Sequence, residues 1–518
     1  MSAHPSYMSG QWSQHQPNTT LSKLAQQLPG MVRKKTGTVM SEDTVKNLLR
    51  TLKLTGPVYE SGDRVSKNRT VFSGQRDKLR QDLQQLNEDM TSESAYAFGD
   101  ALWGLWEDSK YDISLGWLAW GAGFFGNDTK VLEMYKFMQR SFKDGRRGYQ
   151  IARCTLGALM SIDSPMARMT LMSYGRSTRM NSLQKSALEY VQGCARRAGC
   201  SLEEFEDTCV PDCGMGTDGK RMFSYGERTF EVTVGENFYP VVRDEQGKVH
   251  KNLPRARKTD DAVAVGEAKD AWNHLKGSLI HTFKIQFKRL ERMMLSQRTW
   301  HVECWEEHLR DHPVMVLFTK NLLWVAEDLD TGALTYFRVA EDRTLASEED
   351  EEVKLSSHCL VRLAHPALME AGARQRWGDV FVDYELIAPF QQLGRPLYED
   401  VQRDEAIKGC IDGLELDAKW VRIFMKNKEF TRAYQSHSVM LKSFSRQLVP
   451  GENVTLCVEL SPGLDVEDYT RDVAQSVASV SCVGKGGEVI DVDDLSLMCW
   501  GEAMQLLTSL VHYGEVRV

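Results

Sequence analysis

The chain has 518 residues, 42% apolar and 26% charged, with 64 basic against 72 acidic side chains and a formal net charge of −8. That balance excludes collagen-like and wholly disordered classes and supplies no strong field toward nucleic acid or a membrane surface. At roughly 150 residues per domain the length implies two to four domains, each able to bury a core.

The longest apolar candidate, 113–126, is broken by glycines and falls short of the ~18 residues a bilayer span needs. The first thirty residues lack the apolar stretch of a secretory signal. Eleven cysteines, an odd number scattered along the chain, suit reduced thiols. A cytoplasmic location is expected.

Residues 1 to 90 carry 13 basic and 8 acidic side chains, and residues 1–75 include the cluster Arg33-Lys34-Lys35. This polar stretch reads as a basic, largely disordered tail, because little apolar surface offsets its ordering entropy. From 76 to 210 the pattern becomes helical. Leu79, Leu83 and Leu86 recur at helical spacing, then Ala101, Leu102, Leu105 and Trp106 share a face. Two helix pairs follow, near 129–142 with 147–161 and near 164–177 with 182–198. Their loose period of about 35 residues reads as a HEAT-like helical-repeat domain. Trp103, Trp106, Trp117 and Trp120 are expected to pack in its core.

At 211–258 the punctuation changes. Asp218-Gly219 and Glu245-Gln246-Gly247 are turn signals, and Phe230, Val232 and Val234 alternate, which predicts a small antiparallel meander. A helix is then predicted over 260–295, since Ala268, Trp272, Leu275, Leu279, Phe283, Phe287, Leu290 and Met294 form one apolar stripe. Its basic residues do not form one narrow track, so nucleic acid is not an expected partner. Beyond it the spacing predicts strands at 322–326, 334–339, 360–362, 385–388, 454–459 and 477–483, and a last helix over 495–511. The acidic run 348–352 reads as a solvated loop. The fold class is therefore α+β: helical repeats, then a mixed α/β domain over 259–518 with mainly antiparallel strands and one long helix.

Several ordered motifs carry a resemblance. They are Leu202-Glu203-Glu204-Phe205-Glu206-Asp207 with Val210-Pro211, Asp218-Gly219 with Tyr225-Gly226, and Leu253-Pro254 before Asp260-Asp261. Arg289-Leu290-Glu291, His312-Pro313, Leu322-Leu323-Trp324 and Leu363-Ala364-His365-Pro366 follow. Last come Asp383-Tyr384-Glu385-Leu386 and Pro389-Phe390-Gln391-Gln392-Leu393-Gly394-Arg395-Pro396. From about 190 to 400 the chain resembles the family called domain of unknown function 4132, the C-terminal module of molybdate-metabolism-regulator-like bacterial proteins. Ala388 stands where that family usually has Gln. No WGR domain is visible, so DNA binding is not implied. A helical array offers surface for protein partners, the resemblance implies MoxR-type AAA+ ATPases and von Willebrand A proteins as candidates, and no membrane is expected.

The chemistry-bearing clusters are few. His301, Cys304, His308 and His312 fall on one face of a predicted helix but span about 16 Å, too far for one ion. Of Cys194, Cys200, Cys209 and Cys213, only the last two have zinc-ligand spacing. Gly484-Lys485-Gly486-Gly487 lacks the length of a phosphate loop and reads as a hairpin turn. No metal or cofactor is expected. The resemblance marks His312, His365, Tyr384, Gln391 and Arg395 as a set whose side-chain types could converge on an anion or polar ligand, or could cap and tie loops. Two functions stay open: a non-catalytic scaffold or regulatory adaptor, and an enzyme or small-ligand sensor built around His365, Tyr384 and Arg395.

Overall fold

A computed structural model describes residues 17–33, 36–56, 73–176, 182–235, 237–399, 401–433, 440–465 and 473–514. The chain divides into two units, 1–175 with 185–202, and 176–184 with 203–518.

The first unit is helical: α1 Pro17–Gln27, α2 Glu42–Thr55, α3 Ser73–Asp89, α4 Ser92–Asp108, α5 Gly116–Phe124, α6 Asp128–Ser141, α7 Gly145–Leu159, α8 Pro165–Gly175 and α9 Ser182–Ala198. Side-chain caps start several of them. Ser41, Thr91 and Asn127 accept from the amides of Thr44, Ser94 and Thr129, meeting donors that a helix start leaves unpaired. The expected disordered tail needs correction here. Val45, Leu48, Leu49 and Leu52 of α2 are buried, and this amphipathic stripe repays the ordering cost that bulk polarity seemed to forbid. Lys34, Lys35 and the remainder of 1–16 and 57–72 lie outside the described residues. Trp103, Trp106, Trp117 and Trp120 are all buried, as expected. α5 lies close on α7: a Cβ on Gly123 would stand 2.1 Å from the Ala158 carbonyl oxygen, so glycine sets the approach.

Beyond 176–184, the second unit takes in α10, Leu202–Thr208, from its second residue. An antiparallel meander follows, β1 Arg221–Ser224, β2 Thr229–Val234, β3 Pro240–Asp244 and β4 Val249–His250, in order 1-2-3-4. α11 Ala262–Leu295 is the predicted long helix, its Asp261 cap accepting from the amides of Val263 and Ala264. β5 Trp300–His301, α12 Val302–Trp305, α13 Val316–Thr319, β6 Trp324–Asp328, β7 Leu334–Val339, β8 Leu345–Ala346 and β9 Cys359–Leu363 come next. The strands form one sheet in order 5-9-6-7-8. Helices α14 Ala371–Asp383, α15 Arg403–Ile411 and α16 Ala418–Asn427 precede a second five-stranded sheet. This sheet runs β10 Thr431–Ala433, β11 Met440–Gln447, β12 Thr455–Asp465, β13 Ser476–Val483 and β14 Val489–Ile490 in sequence order, and α17 Leu497–Gly514 ends the unit. The α+β class is as expected.

Burial redraws the expected boundary at 258. Phe223, Tyr225, Phe230 and Val232 of the meander share one core with Trp272, Leu279, Phe283 and Leu290 of α11 and with Trp300, Trp324 and Val361. Meander, long helix and β5–β9 sheet therefore form one body. The other face of that sheet buries Leu323 and Val325 with Trp377 of α14. Cover on both faces explains why 322–326 reads as an unbroken apolar run. A separate core joins Val421 and Phe424 of α16, Leu456 and Val458 of β12, and Trp500 and Leu507 of α17.

Two smaller expectations also change. Residues 385–388 are irregular, because α14 runs to Asp383 and Glu385 takes a positive φ of 51° that no strand tolerates. The helix expected under His301, Cys304, His308 and His312 is broken: β5 ends at His301, α12 is one turn, and Glu306–Arg310 is a π turn.

Candidate functional site

The long helix α11 carries two buried polar clusters on residues two apart. Arg289, 2% exposed, donates to Asp207 of α10 and, through Nη1, to Gln286 at 2.9 Å. Asp207 also accepts from Arg298 at 2.5 Å and from the Trp300 indole at 3.0 Å. Its neighbour Glu206 takes two hydrogen bonds from Arg292, at 2.9 and 3.1 Å, and pairs with Arg176 at 3.1 Å. Burial pushes the Glu206 carboxyl up, but Arg289, Arg292 and Arg176 outweigh that and hold it below its ordinary value. Burial pushes Arg289 down to about 9, a shift that Arg298, Arg292 and Arg176 reinforce and Glu206 opposes. The motifs Glu206-Asp207 and Arg289-Leu290-Glu291, far apart in sequence, thus meet across this cluster.

The second cluster centres on Arg395, which is 5% exposed. Its guanidinium reaches Glu502 and Gln505 of α17, the latter at 2.5 Å, and Glu291 of α11 at 2.5 Å. Gln505 donates in turn to Gln391 at 3.1 Å, and Gln391 donates to the Gly394 carbonyl. His365, 2% exposed, stands 3.6 Å from Glu502, beyond hydrogen-bond length. Its Nδ1 accepts from the Ala367 amide at 3.1 Å, so a neutral ring carries its proton on Nε2, facing the carboxylate. Burial raises Glu502, yet His365 and Arg395 bring it below its ordinary value. Burial also pushes down Arg446 of β11, against the charges of Glu291, Glu429 and Glu502. The cluster ties the long helix, the segment after α14 and the last helix into one charged knot.

The expected set does not converge. His365, Gln391 and Arg395 come together; Tyr384 and His312 lie elsewhere. Tyr384 donates to Asp350 at 2.5 Å, and its ring covers the buried guanidinium of Arg338, which lies 3.8 Å from the ring centre. The acidic run is likewise not simply solvated, since Asp350 also accepts from Arg338 at 2.8 Å and Glu348 from Arg376 at 2.7 Å. His312 caps a turn: its Nδ1 accepts from the Val314 and Met315 amides, both at 3.2 Å, and its Nε2 donates to the Val210 carbonyl at 3.2 Å. Those roles fix the neutral tautomer, and burial pushes the His312 pKa down.

Other candidates resolve plainly. Among the described residues no group of three or more His, Cys, Asp or Glu is placed to hold a metal ion. Cys194 and Cys200 belong to the first unit, Cys209 and Cys213 to the second. Gly484–Gly487 is the turn between β13 and β14, closed by the Gly487 amide on the Gly484 carbonyl at 3.0 Å. No helix among the described residues is long and apolar enough to cross a membrane.

Sequence reasoning passed over Gln392, 1% exposed, whose amide bridges the Leu323 backbone and the Ala364 carbonyl at 2.8 to 2.9 Å. It also passed over Glu291, Asp207, Glu502 and Gln505. The first two stood inside quoted motifs, so a signal existed; α17 offered none.

Residues 247–410 match the family described as Domain of unknown function (DUF4132). The resemblance to DUF4132 is thus supported over this stretch. The match covers α11, the β5–β9 sheet, α14 and the segment after it, and so includes Glu291, His365, Gln391 and Arg395 of the second cluster, but Arg446 of β11 and α17 lie beyond it. The chain is also similar to "Uncharacterized protein YehI" of Escherichia coli (strain K12), 28% identical over 315 residues. That stretch is 60% of this chain and 26% of the relative, so the chain spans about a quarter of the relative it matches. No solved structure matches.

Proposed function

We propose that the chain is a non-catalytic scaffold or regulatory adaptor of the cytoplasm that binds other proteins. One observation carries the reading. The side chains best suited to ligand chemistry, His312, Gln391 and Arg395, spend their hydrogen bonds on capping or on joining distant elements. A catalytic group must instead present a reactive atom to a substrate. HEAT-like stacking of α6 to α9 would give such an adaptor an extended partner surface, and MoxR-type AAA+ ATPases and von Willebrand A proteins are the partner classes to try first.

A second reading, a small-ligand sensor or enzyme, draws on two buried atoms of the same knot. His365 Nε2 and Arg395 Nε have no hydrogen-bond partner among the described residues, and such groups usually find one. Affinity capture of the tagged chain at native abundance, with mass spectrometry of proteins and of small molecules, separates the two. A reproducible stoichiometric protein supports the adaptor. A small molecule that co-purifies with the parent and is lost from an Arg395→Met, Glu502→Leu chain that melts cooperatively would overturn it.

A further inference from the structure

Arg338 of β7 is 4% exposed, yet its Nε and Nη1 have no hydrogen-bond partner among the described residues. Its Nη2 donates to one oxygen of Asp350, and Tyr384 donates to the other. The Tyr384 ring covers the guanidinium, and its outer face is exposed. Two residues earlier on the same loop, Glu348 pairs with Arg376, eight residues before Tyr384 along α14. The loop is held in its turn by Ser347, whose Oγ accepts from the amides of Glu349 and Glu351.

The arrangement resembles a bound acidic peptide more than a solvated loop. Two carboxylates spaced two apart meet a guanidinium–phenol pair and a second guanidinium, which is how arginine clusters read acidic motifs. The fit is incomplete. A buried arginine with two unsatisfied N–H groups sits in a costly state, one that a ligand with a better-placed carboxylate would relieve. Flanking Tyr384 in the sequence, Val382 is 75% and Ile387 50% exposed, apolar surface able to meet a partner's apolar side chain.

We infer that the loop 348–352 is an internal pseudo-ligand masking a docking site for an acidic peptide segment of a partner, read by Arg338, Arg376 and Tyr384. The inference rests on the adaptor reading and names its partner chemistry. Tethering gives the loop an effective concentration in the ~mM range, so a free peptide of ~10–100 μM affinity is outcompeted by about ten- to a hundredfold until the loop is displaced.

The probe is a labelled synthetic peptide with the sequence of residues 346–354, titrated by fluorescence anisotropy. The parent chain should bind it weakly. Glu348→Gln with Asp350→Asn should bind it at least about tenfold tighter. Adding Arg376→Gln and Tyr384→Phe, both at exposed side chains, should return binding to the parent level while melting temperature and hydrogen exchange of α14 stay unchanged. A loop-neutralised chain that binds no better than the parent, or that keeps its gain after those two substitutions, overturns the proposal. So does a single-stranded oligonucleotide that binds the loop-neutralised chain as tightly with the same Arg376 dependence, since the site would then read phosphate. The adaptor reading fails separately, in the capture experiment: a partner captured equally by parent and Arg376→Gln leaves the adaptor standing and removes this site from it.

Discussion

Replacing Arg395 by Met tests the knot between α11 and α17. The guanidinium has three partners, and they are not equivalent. Glu291 is 34% exposed along its side chain, so on losing Arg395 it rehydrates, and that pair is worth about 0.5–1 kcal/mol. Glu502 is 8% exposed and cannot rehydrate. It is left with His365 at 3.6 Å, and stranding a buried carboxylate costs about 3–5 kcal/mol. Arg395→Met should therefore destabilise by about 3–5 kcal/mol, a large share of the ~5–15 kcal/mol typical of a domain. Adding Glu502→Leu removes the stranded charge and should recover more than half of the loss, a coupling that a double-mutant cycle reads directly. Because the unit holds more than one core, urea unfolding should be followed by hydrogen exchange of α17 as well as by a global signal. A single variant costing under about 1 kcal/mol, or a double variant no more stable than the sum of the singles, would refute the knot.

Phe283→Ala should cost about 3–5 kcal/mol, because the ring is 3% exposed and meets Phe318 edge-on at 5.4 Å; parental thermal melting would contradict it. Gly123→Ala should loosen α5 from α7 and lower the melting temperature by several degrees, since the Ala158 backbone, not a flexible side chain, occupies the space. Hydrogen bonds from Arg228 and from the Arg257 amide hold the Asp260 carboxyl at about 2, below its ordinary 3.8. A depressed carboxylate stabilises above its unfolded pKa and loses that contribution as pH falls through its folded value. Arg228→Gln should thus flatten the decline of meander stability between about pH 4 and pH 2, as hydrogen exchange of β1 to β3 would register. Burial pushes the Cys154 and Cys499 thiols up to about 12 while Cys304 is exposed. Brief iodoacetamide treatment of the folded chain should therefore label Cys304 and spare those two, and equal labelling would contradict the burial.

Periodicity was legible wherever one face alone is buried. The stripe from Ala268 to Met294 predicted α11 almost to the residue, and alternation at Phe230, Val232 and Val234 predicted β2. The start of the chain was misread because composition averages over faces: α2 is polar overall, yet its four aligned Val and Leu residues are buried. The 385–388 strand failed for a local reason. Leu386 and Ile387 have strand-like types, but the α14 C-terminus places Glu385 at positive φ.

The candidate site divides along the same line. Side-chain type and motif order are properties of the chain, so the sequence and its family resemblance could nominate His365, Tyr384, Gln391 and Arg395 as candidates without coordinates. The sequence could not determine their partners. Glu502 lies more than a hundred residues from Arg395, and Asp207 over eighty from Arg289. No local periodicity encodes pairs at such separations; they arise when α11 is buried along most of its length and brings α10, the segment after α14 and α17 against one beam. Tertiary structure alone therefore decided that the expected ligand set is three separate devices: a capped turn at His312, a charged knot at Arg395, and an acid-loaded arginine beneath Tyr384. The physical reason is that a buried charge must find its counter-charge wherever packing delivers one, and packing is settled by the whole chain at once.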